Sequence, residues 1–493
     1  MNNNDLRLII TAKVSLIVVE TYDEPRALDL LEGMFRMEGI PAYQWTITDG
    51  MGSLGYGMHL RPKEARTEPE AVLNYIKATR ERSAFVLCDL HHHLEEPKII
   101  RLLKDIAFNP VGHKVVLISH RLSLPPELVR YAMSLSLSMP TEDEILAIIR
   151  DEAREWAAKN NKSRIKTDNA TLQKLVSNLK GLPHQDVRRL AHGAIADDGA
   201  ITETDLPEVT RRKFELMDME GVLHFEFSTA HLRDVGGLNV LKTWLEDRRH
   251  MMINDPKESD SHVDAPKGVL LFGVQGGGKS LAAKSIAGVW GLPLLRLDMA
   301  ALFNKFVGET EKNLREALKL ADLMSPCVLW LDELEKGLAQ DGSDNAVGKR
   351  LLGTLLTWMS ERKSRVFMVA TSNDISVLPP ELMRKGRFDE IFFVDLPDQT
   401  TRSIIFSIHL QKRGLPIAEF DLGVLAEISQ GFTGAEIEQA VVSAVYASSA
   451  RKEKVKQEMI EDAIRKTQPL SVVMAESIQN LRSWAQERAV FAN

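Results

Sequence analysis

One stretch, residues 268–285 with the sequence GVLLFGVQGGGKSLAAKS, constrains the fold more than any other part of the chain. It predicts a buried strand over 269–272, a glycine-rich loop and a helix that opens near Leu281. A strand, a glycine loop and a helix N-terminus in this order form a phosphate-binding loop, in which backbone N–H groups and the helix dipole hold a polyphosphate. A plain glycine-rich turn does not account for the Lys-Ser pair that closes the motif. We therefore expect an α/β domain that binds a nucleotide.

The two residues that close the loop have distinct expected roles. Lys279 is expected to reach the β- and γ-phosphates of ATP, and the Ser280 hydroxyl is expected to bind Mg²⁺. The rest of the predicted nucleotide cradle is Gly273, Val274, Gln275, Gly276, Gly277, Gly278 and Leu281.

A second apolar strand, ending in Asp332-Glu333, follows the loop by about 50 residues. A continuously apolar strand suits a sheet that is buried on both faces. Asp332 is expected to hold Mg²⁺ through water, and Glu333 to polarise the attacking water as a general base. The alternative, an acidic strand cap, is disfavoured by the pairing with the phosphate loop. A further strand over 366–370 leads to Asn373, whose amide could orient the same water.

The first half of the chain alternates strands with helices but lacks nucleotide chemistry. Strands are predicted over 14–19, 42–47, 84–88 and 114–118, with helices over 25–37 and 71–80, which indicates a parallel sheet flanked by helices. The turn after the first strand, residues 20–25, is acidic and has neither a glycine cradle nor a lysine. It is not expected to hold a triphosphate.

Three segments of the first half recur in the second half at offsets of about 250 residues. Residues 124–128 recur as 378–382, residues 181–188 recur loosely as 431–438, and the strand ending at Asp89 resembles the one ending at Asp332. The first half is therefore interpreted as a degenerate copy of the second, with a structural or recruiting role.

The three histidines at 91–93 suggest a metal site. Adjacent side chains cannot all face one ion, however, and no patterned partner is nearby, so a solvated loop is preferred.

Length and composition indicate a multidomain globular protein. The 493 residues carry a net charge of −7, which argues against a dedicated nucleic-acid or membrane-surface protein. Cys88 and Cys327 lie in apolar runs and are expected to be buried thiols. No secretory signal or membrane span is recognised, so a cytoplasmic protein is expected. The predicted division is 1–139 degenerate α/β domain, 140–199 helical lid-like subdomain, 200–230 linker, 231–400 large domain, 401–469 helical lid and 470–493 one amphipathic docking helix with Val473, Ile478, Leu481 and Trp484 facing the module.

On these motifs, residues 230–470 resemble the AAA+ ATPases in their narrower AAA subgroup. The arrangement of the whole chain, a degenerate copy of the ATPase module followed by one intact module, resembles AAA proteins encoded in some chloroplast and cyanobacterial genomes. The resemblance implies a P-loop NTPase large domain with a helical lid. It also implies that Asn373 senses the γ-phosphate, and that Arg384 and Arg387 act as arginine fingers on the ATP of a neighbouring subunit. Gly277 departs from the family, in which a Thr is usual, and is expected to change loop flexibility more than phosphate contacts.

The same resemblance implies an adenine pocket and a substrate loop. Gly236, Gly237, His409, Gly434 and Ala435 would line the adenine pocket. The run Lys305, Phe306, Val307 and Gly308 is similar to the pore loop that grips polypeptide. A packed aromatic residue is the alternative for Phe306, although the flanking residues favour an exposed turn.

Two functions from different classes remain open. The first is a Mg²⁺-dependent ATPase that assembles as a homo-oligomeric ring, a hexamer by resemblance, and remodels a protein substrate or acts through an adaptor. The second is a nucleotide-controlled scaffold that threads nothing. A nucleic-acid motor is disfavoured by the acidic charge, and the lack of a His-Glu-x-x-His motif excludes a fused zinc protease.

Overall fold

The computed structural model describes residues 14–55, 66–120, 122, 124–135, 137–160, 165–196, 198–217, 222–227, 232–253, 264–299, 302, 309–338, 345–384 and 386–493. The chain divides into two compact units, Met1–Val209 and Thr210–Asn493. Each unit is built on one sheet with helices on both faces.

The sheet of the first unit has six strands in the order β3-β2-β4-β5-β1-β6. Only β2 and β3 pair antiparallel, and the other neighbours are parallel. Its central strands are apolar and buried because helices cover both faces. The strands are β1 (Leu16–Glu20), β2 (Ala42–Thr46), β3 (Gly50–Ser53), β4 (Ala84–Cys88), β5 (Lys114–Ser119) and β6 (Ala132–Leu135).

Proline starts several helices of this unit, since its fixed φ suits the first helical turn. The helices that flank the sheet are α1 (Glu24–Met37), α2 (Pro69–Ala78), α3 (Pro97–Ala107) and α4 (Pro126–Val129). A helical segment follows, with α5 (Glu142–Lys159), α6 (Asn169–Leu179), α7 (His184–Ala196) and α8 (Leu206–Leu216), and the two-residue strands β7 (Lys166–Thr167) and β8 (Ala200–Ile201). Thr141 and Glu144 form a capping box at the start of α5.

The sheet of the second unit has seven strands in the order β15-β14-β10-β13-β12-β11-β9, with only β9 and β11 antiparallel. Every residue of its three central strands is buried. The strands are β9 (Leu223–Glu226), β10 (Gly268–Gly273), β11 (Leu294–Leu297), β12 (Cys327–Leu331), β13 (Val366–Ser372), β14 (Glu390–Val394) and β15 (Val490–Phe491).

The helices of the second unit form two sets. The first set covers the sheet, and helices of the second set, later in the chain, form a cluster with its own core. The first set is α9 (Asn239–Ile253), α10 (Lys279–Trp290), α11 (Glu309–Leu323), α12 (Leu334–Leu338) and α13 (Asn345–Glu361). The second set is α14 (Gln399–Lys412), α15 (Leu422–Ile428), α16 (Gly434–Arg451), α17 (Gln457–Lys466), α18 (Leu470–Val473) and α19 (Ala475–Arg488). Helices α14 to α17 share a hydrophobic core of their own, as a lid subdomain requires. Among the described helices, none combines the length and apolar character needed to cross a bilayer.

The two sheets have the same architecture. The order β6-β1-β5-β4-β2-β3 in one corresponds to β14-β10-β13-β12-β11-β9 in the other, with an antiparallel edge strand in both. The helices that begin at His184 and Gly434 start at matched positions of the repeat. This confirms the predicted fold class, in which a P-loop α/β domain with a helical lid is preceded by a degenerate copy of the same fold.

Two segments differ from the sequence expectation. The segment 200–230, predicted as a linker, contains α8 and β9, and β9 is the edge strand of the second sheet. The segment 470–493, predicted as one helix, forms α18, α19 and β15. Val473 is 69% exposed rather than packed, whereas Ile478 is buried and Trp484 contacts Phe272 edge-on.

Candidate nucleotide-hydrolysis site

The phosphate loop joins β10 to α10 at the carboxyl edge of the second sheet. Gly276 and Gly278 have φ of +75° and +96°, a region that favours glycine. A Cβ on Gly273 would collide with the backbone of β14. At Gly277 a Cβ would lie 3.0 Å from the Val274 carbonyl oxygen, so this glycine relieves a close approach within the loop. The loop therefore has the backbone freedom that a phosphate cradle needs.

Lys279 lies at the first position of α10 and is 7% exposed. Its Nζ donates hydrogen bonds of 2.9 Å to the carbonyl oxygens of Gly273 and Val274. Burial lowers the pKa of this lysine to about 8, against the opposing negative charges of Glu335, Asp332 and Glu333. A polyphosphate beside the ammonium would favour its charged form, so the site is electrostatically suited to an anionic ligand.

The hydroxyl of Ser280 and the carboxylate of Asp332 meet in space although 52 residues separate them. Ser280 Oγ donates to Asp332 Oδ1 at 3.3 Å, and Thr371 Oγ1 donates to the same oxygen at 2.6 Å. Strands β12 and β13 are parallel neighbours, so their carboxyl ends bring these side chains to one edge. Hydroxyl and carboxylate oxygens are the ligands that Mg²⁺ prefers, and this pair fits a Mg²⁺ ion that also contacts phosphates.

Glu333 adopts φ of +50°, which is rare for a residue with a side chain. Its backbone N–H donates to Thr371 Oγ1 at 3.1 Å, and this bond helps to hold the turn. Its carboxylate pairs with Lys336 Nζ at 2.5 Å and is 39% exposed. The predicted general base therefore lies at the solvent-accessible edge, next to the Asp332 carboxylate.

Asn373 directly follows β13, and in the described part of the chain its backbone N–H, rather than its side chain, makes a hydrogen bond. The Asn373 N–H donates to Glu335 Oε1 at 3.0 Å, while Glu335 Oε2 is buried and has no hydrogen-bond partner among the residues that the structure describes. Within the described residues, no hydrogen bond joins the Asn373 amide to Glu333. The structure thus places the predicted sensor and base on adjacent strands without linking them directly.

Arg384 and Arg387 lie between β13 and β14. Arg384 is exposed and Arg387 is half-buried. The buried Nη1 of Arg387 has no hydrogen-bond partner in the described part of the chain. The exposed guanidinium group of Arg384 is suited to contact an anion from outside the chain.

The lid helix α16 touches the phosphate loop directly. The Ala435 N–H donates to the Gly276 carbonyl oxygen at 3.3 Å. Ile405 on α14 lies close to both Gly236 and Gly434, two residues of the predicted adenine pocket. A Cβ added to Gly236 would lie 2.6 Å from Ile405 Cγ1, and a Cβ added to Gly434 would lie 3.8 Å from Ile405 Cδ1. The structure therefore brings Gly236, Gly434 and Ala435 to one place beside the loop.

His409 lies one helical turn beyond Ile405 and is mostly buried. Its Nδ1 is 3.5 Å from Glu438 Oε1 and 3.4 Å from Arg413 Nη1. Burial lowers the pKa of His409, against the opposing charge of Glu438. A neutral ring on this face of α14 is suited to pack against a base rather than to bind phosphate.

Residues 492–493 pack against Gly237 and the segment that follows it. A Cβ on Gly237, whose φ is +69°, would lie 2.6 Å from Asn493 Oδ1 and 2.8 Å from Thr401 Cγ2. The Leu238 N–H donates to Asn493 Oδ1, and the Ala492 carbonyl oxygen accepts the N–H groups of Val240 and Leu241. Gly237 is thus confined by a neighbour that was not expected from sequence.

Sequence reasoning missed Thr371, Glu335 and Ile405. Thr371 was visible as the polar residue after an apolar strand, and Glu335 as the third acid in a run of four residues. Their partners lie 38 or 39 residues away, so only the fold shows the contacts. The predicted pore loop, 305–308, lies outside the described residues.

Comparison with known families agrees with this site. Residues 269–396 match the family described as "ATPase family associated with various cellular activities (AAA)". Residues 2–137 match the N-terminal domain of SpoVK-like AAA ATPases, and residues 143–220 match their second domain.

Relatives match over the whole chain or over about half of it. The AAA domain-containing protein ycf46 of Pyropia yezoensis is 34% identical over 495 residues, covering 98% of this chain and 97% of that protein. The ycf46 protein of Guillardia theta is 33% identical over 493 residues, covering 98% and 94%. The ATP-dependent zinc metalloprotease FtsH 3 of Symbiobacterium thermophilum is 33% identical over 239 residues, covering 47% of this chain and 38% of that protein.

The phosphate loop and the acid pair at the end of β12 lie at one edge of a mostly parallel sheet, and a helical lid follows. With the family match, these features define a P-loop ATPase of the AAA class. The chain belongs to the family of AAA domain-containing proteins that includes ycf46, which it matches over nearly its whole length. It therefore binds and hydrolyses ATP.

Proposed function

We propose that this ATPase requires Mg²⁺, works in the cytoplasm as a homo-oligomeric ring, and uses hydrolysis to remodel a protein substrate. The observation that carries the Mg²⁺ requirement is the meeting of Ser280 Oγ and Thr371 Oγ1 at Asp332 Oδ1, beside the lysine of the loop. Mg²⁺ held there would neutralise charge that develops on the phosphates.

The residues of the chain divide the work of hydrolysis. The loop backbone and Lys279 bind the phosphates, Ser280 and Asp332 would hold Mg²⁺, and Thr371 orients Asp332. Glu333 accepts a proton from the attacking water at its carboxylate, and Asn373 positions that water. Contact of α16 with Gly276 allows the lid to respond to the occupancy of the loop.

The arginines support the ring. Arg384 is exposed and therefore accessible to the ATP of a neighbouring subunit, and half-buried Arg387 is assigned to the same contact. Arginine fingers contribute about 10³ to 10⁵ in rate in other phosphoryl-transfer systems. In this proposal each active site is completed by the next subunit, and six subunits close the ring.

Mixed rings test this sharing of sites. Lys279→Ala subunits lack the phosphate contact, and Arg384→Ala subunits lack the finger, so each is expected to be inactive alone. A mixture is expected to recover activity, because an intact loop of one variant meets an intact arginine of the other. Glu333→Gln serves as the matched control, since it is expected to bind ATP without turning it over. A mixture that stays inactive, with activity per subunit independent of concentration, would rule out the ring.

Remodelling of a substrate rests on Phe306 and needs its own test. Phe306→Ala is expected to keep the melting temperature and basal ATPase activity but to lose the release or unfolding of a partner captured with the Glu333→Gln variant. A core position would instead cost about 3 to 5 kcal/mol of stability. Unimpaired remodelling by Phe306→Ala would favour the nucleotide-controlled scaffold.

A further inference from the structure

The degenerate first unit carries a cluster of metal-binding side chains at the carboxyl edge of its sheet. Asp89 directly follows β4, His91 lies two residues later, and His120 directly follows β5. Strands β4 and β5 are parallel neighbours with Cys88 opposite Ile118, so their ends meet at the same edge. This is the edge that carries the hydrolysis site in the second unit.

The geometry of the cluster is close to that of a bound ion. One carboxylate oxygen of Asp89 and one ring nitrogen each of His91 and His120 lie within 4.8 Å of one another. The Oδ1 of Asp89 is 3.8 Å from His91 Nδ1, and the two imidazole rings are 5.3 Å apart and nearly perpendicular. Ligand atoms at about 2.0 Å from a tetrahedral ion lie roughly 3.3 Å apart, so a small closing movement completes the site. Asp89 and His120 are exposed and free to make it.

The environment of the cluster favours a cation. The turn after β1 has the acidic sequence Glu-Thr-Tyr-Asp-Glu at the position where the second unit has its glycine cradle. An edge with these carboxylates and no phosphate-loop lysine repels a triphosphate and attracts a positive ion.

A hydrogen bond also orients one of the rings. Ser119 Oγ lies 2.9 Å from the same His91 Nδ1, and the ring of His91 is mostly buried against its neighbours. An ion bound at Nδ1 would replace this hydrogen bond, whereas an ion bound at Nε2 would leave it in place. His120 is exposed and comes from a different strand, and its ring lies against the rings of both His91 and Tyr22. The expectation of a simple solvated loop at 91–93 missed His120, since it lies 29 residues beyond His91 in the chain.

We infer that Asp89, His91 and His120 form a binding site for a divalent transition metal of the Zn²⁺ class in the first unit. Two imidazoles and one carboxylate suit Zn²⁺ and its neighbours better than Mg²⁺. Three protein ligands leave a coordination position open to water or to an incoming donor group. The degenerate unit has thus replaced a nucleotide site with a cation site.

The test uses the full-length protein, stripped of metal by a chelator and kept in excess Mg²⁺ so that the hydrolysis site does not compete. Co²⁺ is titrated and its visible absorption is followed, because a tetrahedral site gives an intense band, and Zn²⁺ is then added to displace it. One equivalent of Co²⁺ is expected to bind. The variants Asp89→Asn, His91→Ala and His120→Ala are each expected to weaken binding about tenfold or more.

The matched control is His93→Ala, because His93 is in the same run but pairs with Glu96 at 2.7 Å. It is expected to keep the band and the affinity. All these variants are expected to keep ATPase activity, and His120→Ala changes an exposed side chain, so its fold is expected to be intact. Wild-type affinity in both His91→Ala and His120→Ala, or an equal loss in His93→Ala, overturns the inference.

Discussion

Thr371 is the residue on which the geometry of the hydrolysis edge depends most directly. Its hydroxyl donates to Asp332 Oδ1 at 2.6 Å and accepts the N–H of Glu333 at 3.1 Å. The side chain is 2% exposed, so water cannot replace either bond. One hydroxyl therefore orients the predicted metal acid and holds the positive-φ turn of the predicted base.

Thr371→Val keeps the size of the side chain and removes the hydroxyl. A hydrogen bond to a charged group contributes about 1.5 to 3 kcal/mol, and the Glu333 N–H loses its acceptor as well. If half of this loss or more reaches the transition state, kcat/KM falls by roughly 4- to 150-fold, since about 1.4 kcal/mol corresponds to tenfold. ATP binding is expected to change little, because the loop and Lys279 are untouched.

The assay compares steady-state hydrolysis, binding of a fluorescent ATP analogue and thermal melting for Thr371→Val and Thr371→Ser. Serine keeps the hydroxyl and loses only the methyl group, so it is expected to retain most of the activity. Wild-type turnover in Thr371→Val would refute the reasoning. Equal losses in the two variants would assign the effect to packing rather than to the hydrogen bonds.

Three further predictions concern the same unit. Because burial lowers the pKa of Lys279 to about 8, ATP binding just above that pH is expected to take up protons, which calorimetry detects as a buffer-dependent heat. Between pH of about 8 and 10.5 the Lys279 side chain is protonated in the unfolded chain and deprotonated in the folded chain, so it makes the free energy of unfolding rise with pH. Gly237→Ala is expected to melt lower than Gly414→Ala, because both have φ near +70° but only Gly237 has neighbours within 4 Å of an added Cβ. Arg482→Gln breaks the paired hydrogen bonds to Asp395 and is expected to speed proteolytic release of residues 470–493; unchanged cleavage would contradict that role.

The elements with strong local signals were predictable from sequence. The strand predicted over 269–272 is β10, which is longer by one residue at each end, and the strand at 84–88 has the predicted bounds. Continuous apolar runs bounded by glycine, proline or charge identify such strands without tertiary information.

The sequence analysis missed the edge strand β3, which has the sequence GMGS. This sequence has little strand propensity of its own, and the strand forms because it pairs with β2.

The internal repeat was also visible in the sequence, but only the fold shows that the two halves share a strand order. Short matched segments indicated a degenerate copy, and the shared strand order of the two sheets shows it. A strand order is a set of contacts between distant segments. Local periodicity carries no information about which strand lies beside which.

For this protein the sequence by itself determined the chemistry of the second unit, since the spacing of Gly273, Lys279 and Ser280 is a local property of one strand, loop and helix. The tertiary structure decided which side chains share an edge. It brought Thr371 to Asp332 across two strands, and His120 to His91 across two others. The physical reason is the same in both cases: parallel strands separated by a helix deliver residues far apart in the chain to one end of a sheet, where hydrogen bonds and ion binding depend on distances that the linear spacing does not contain.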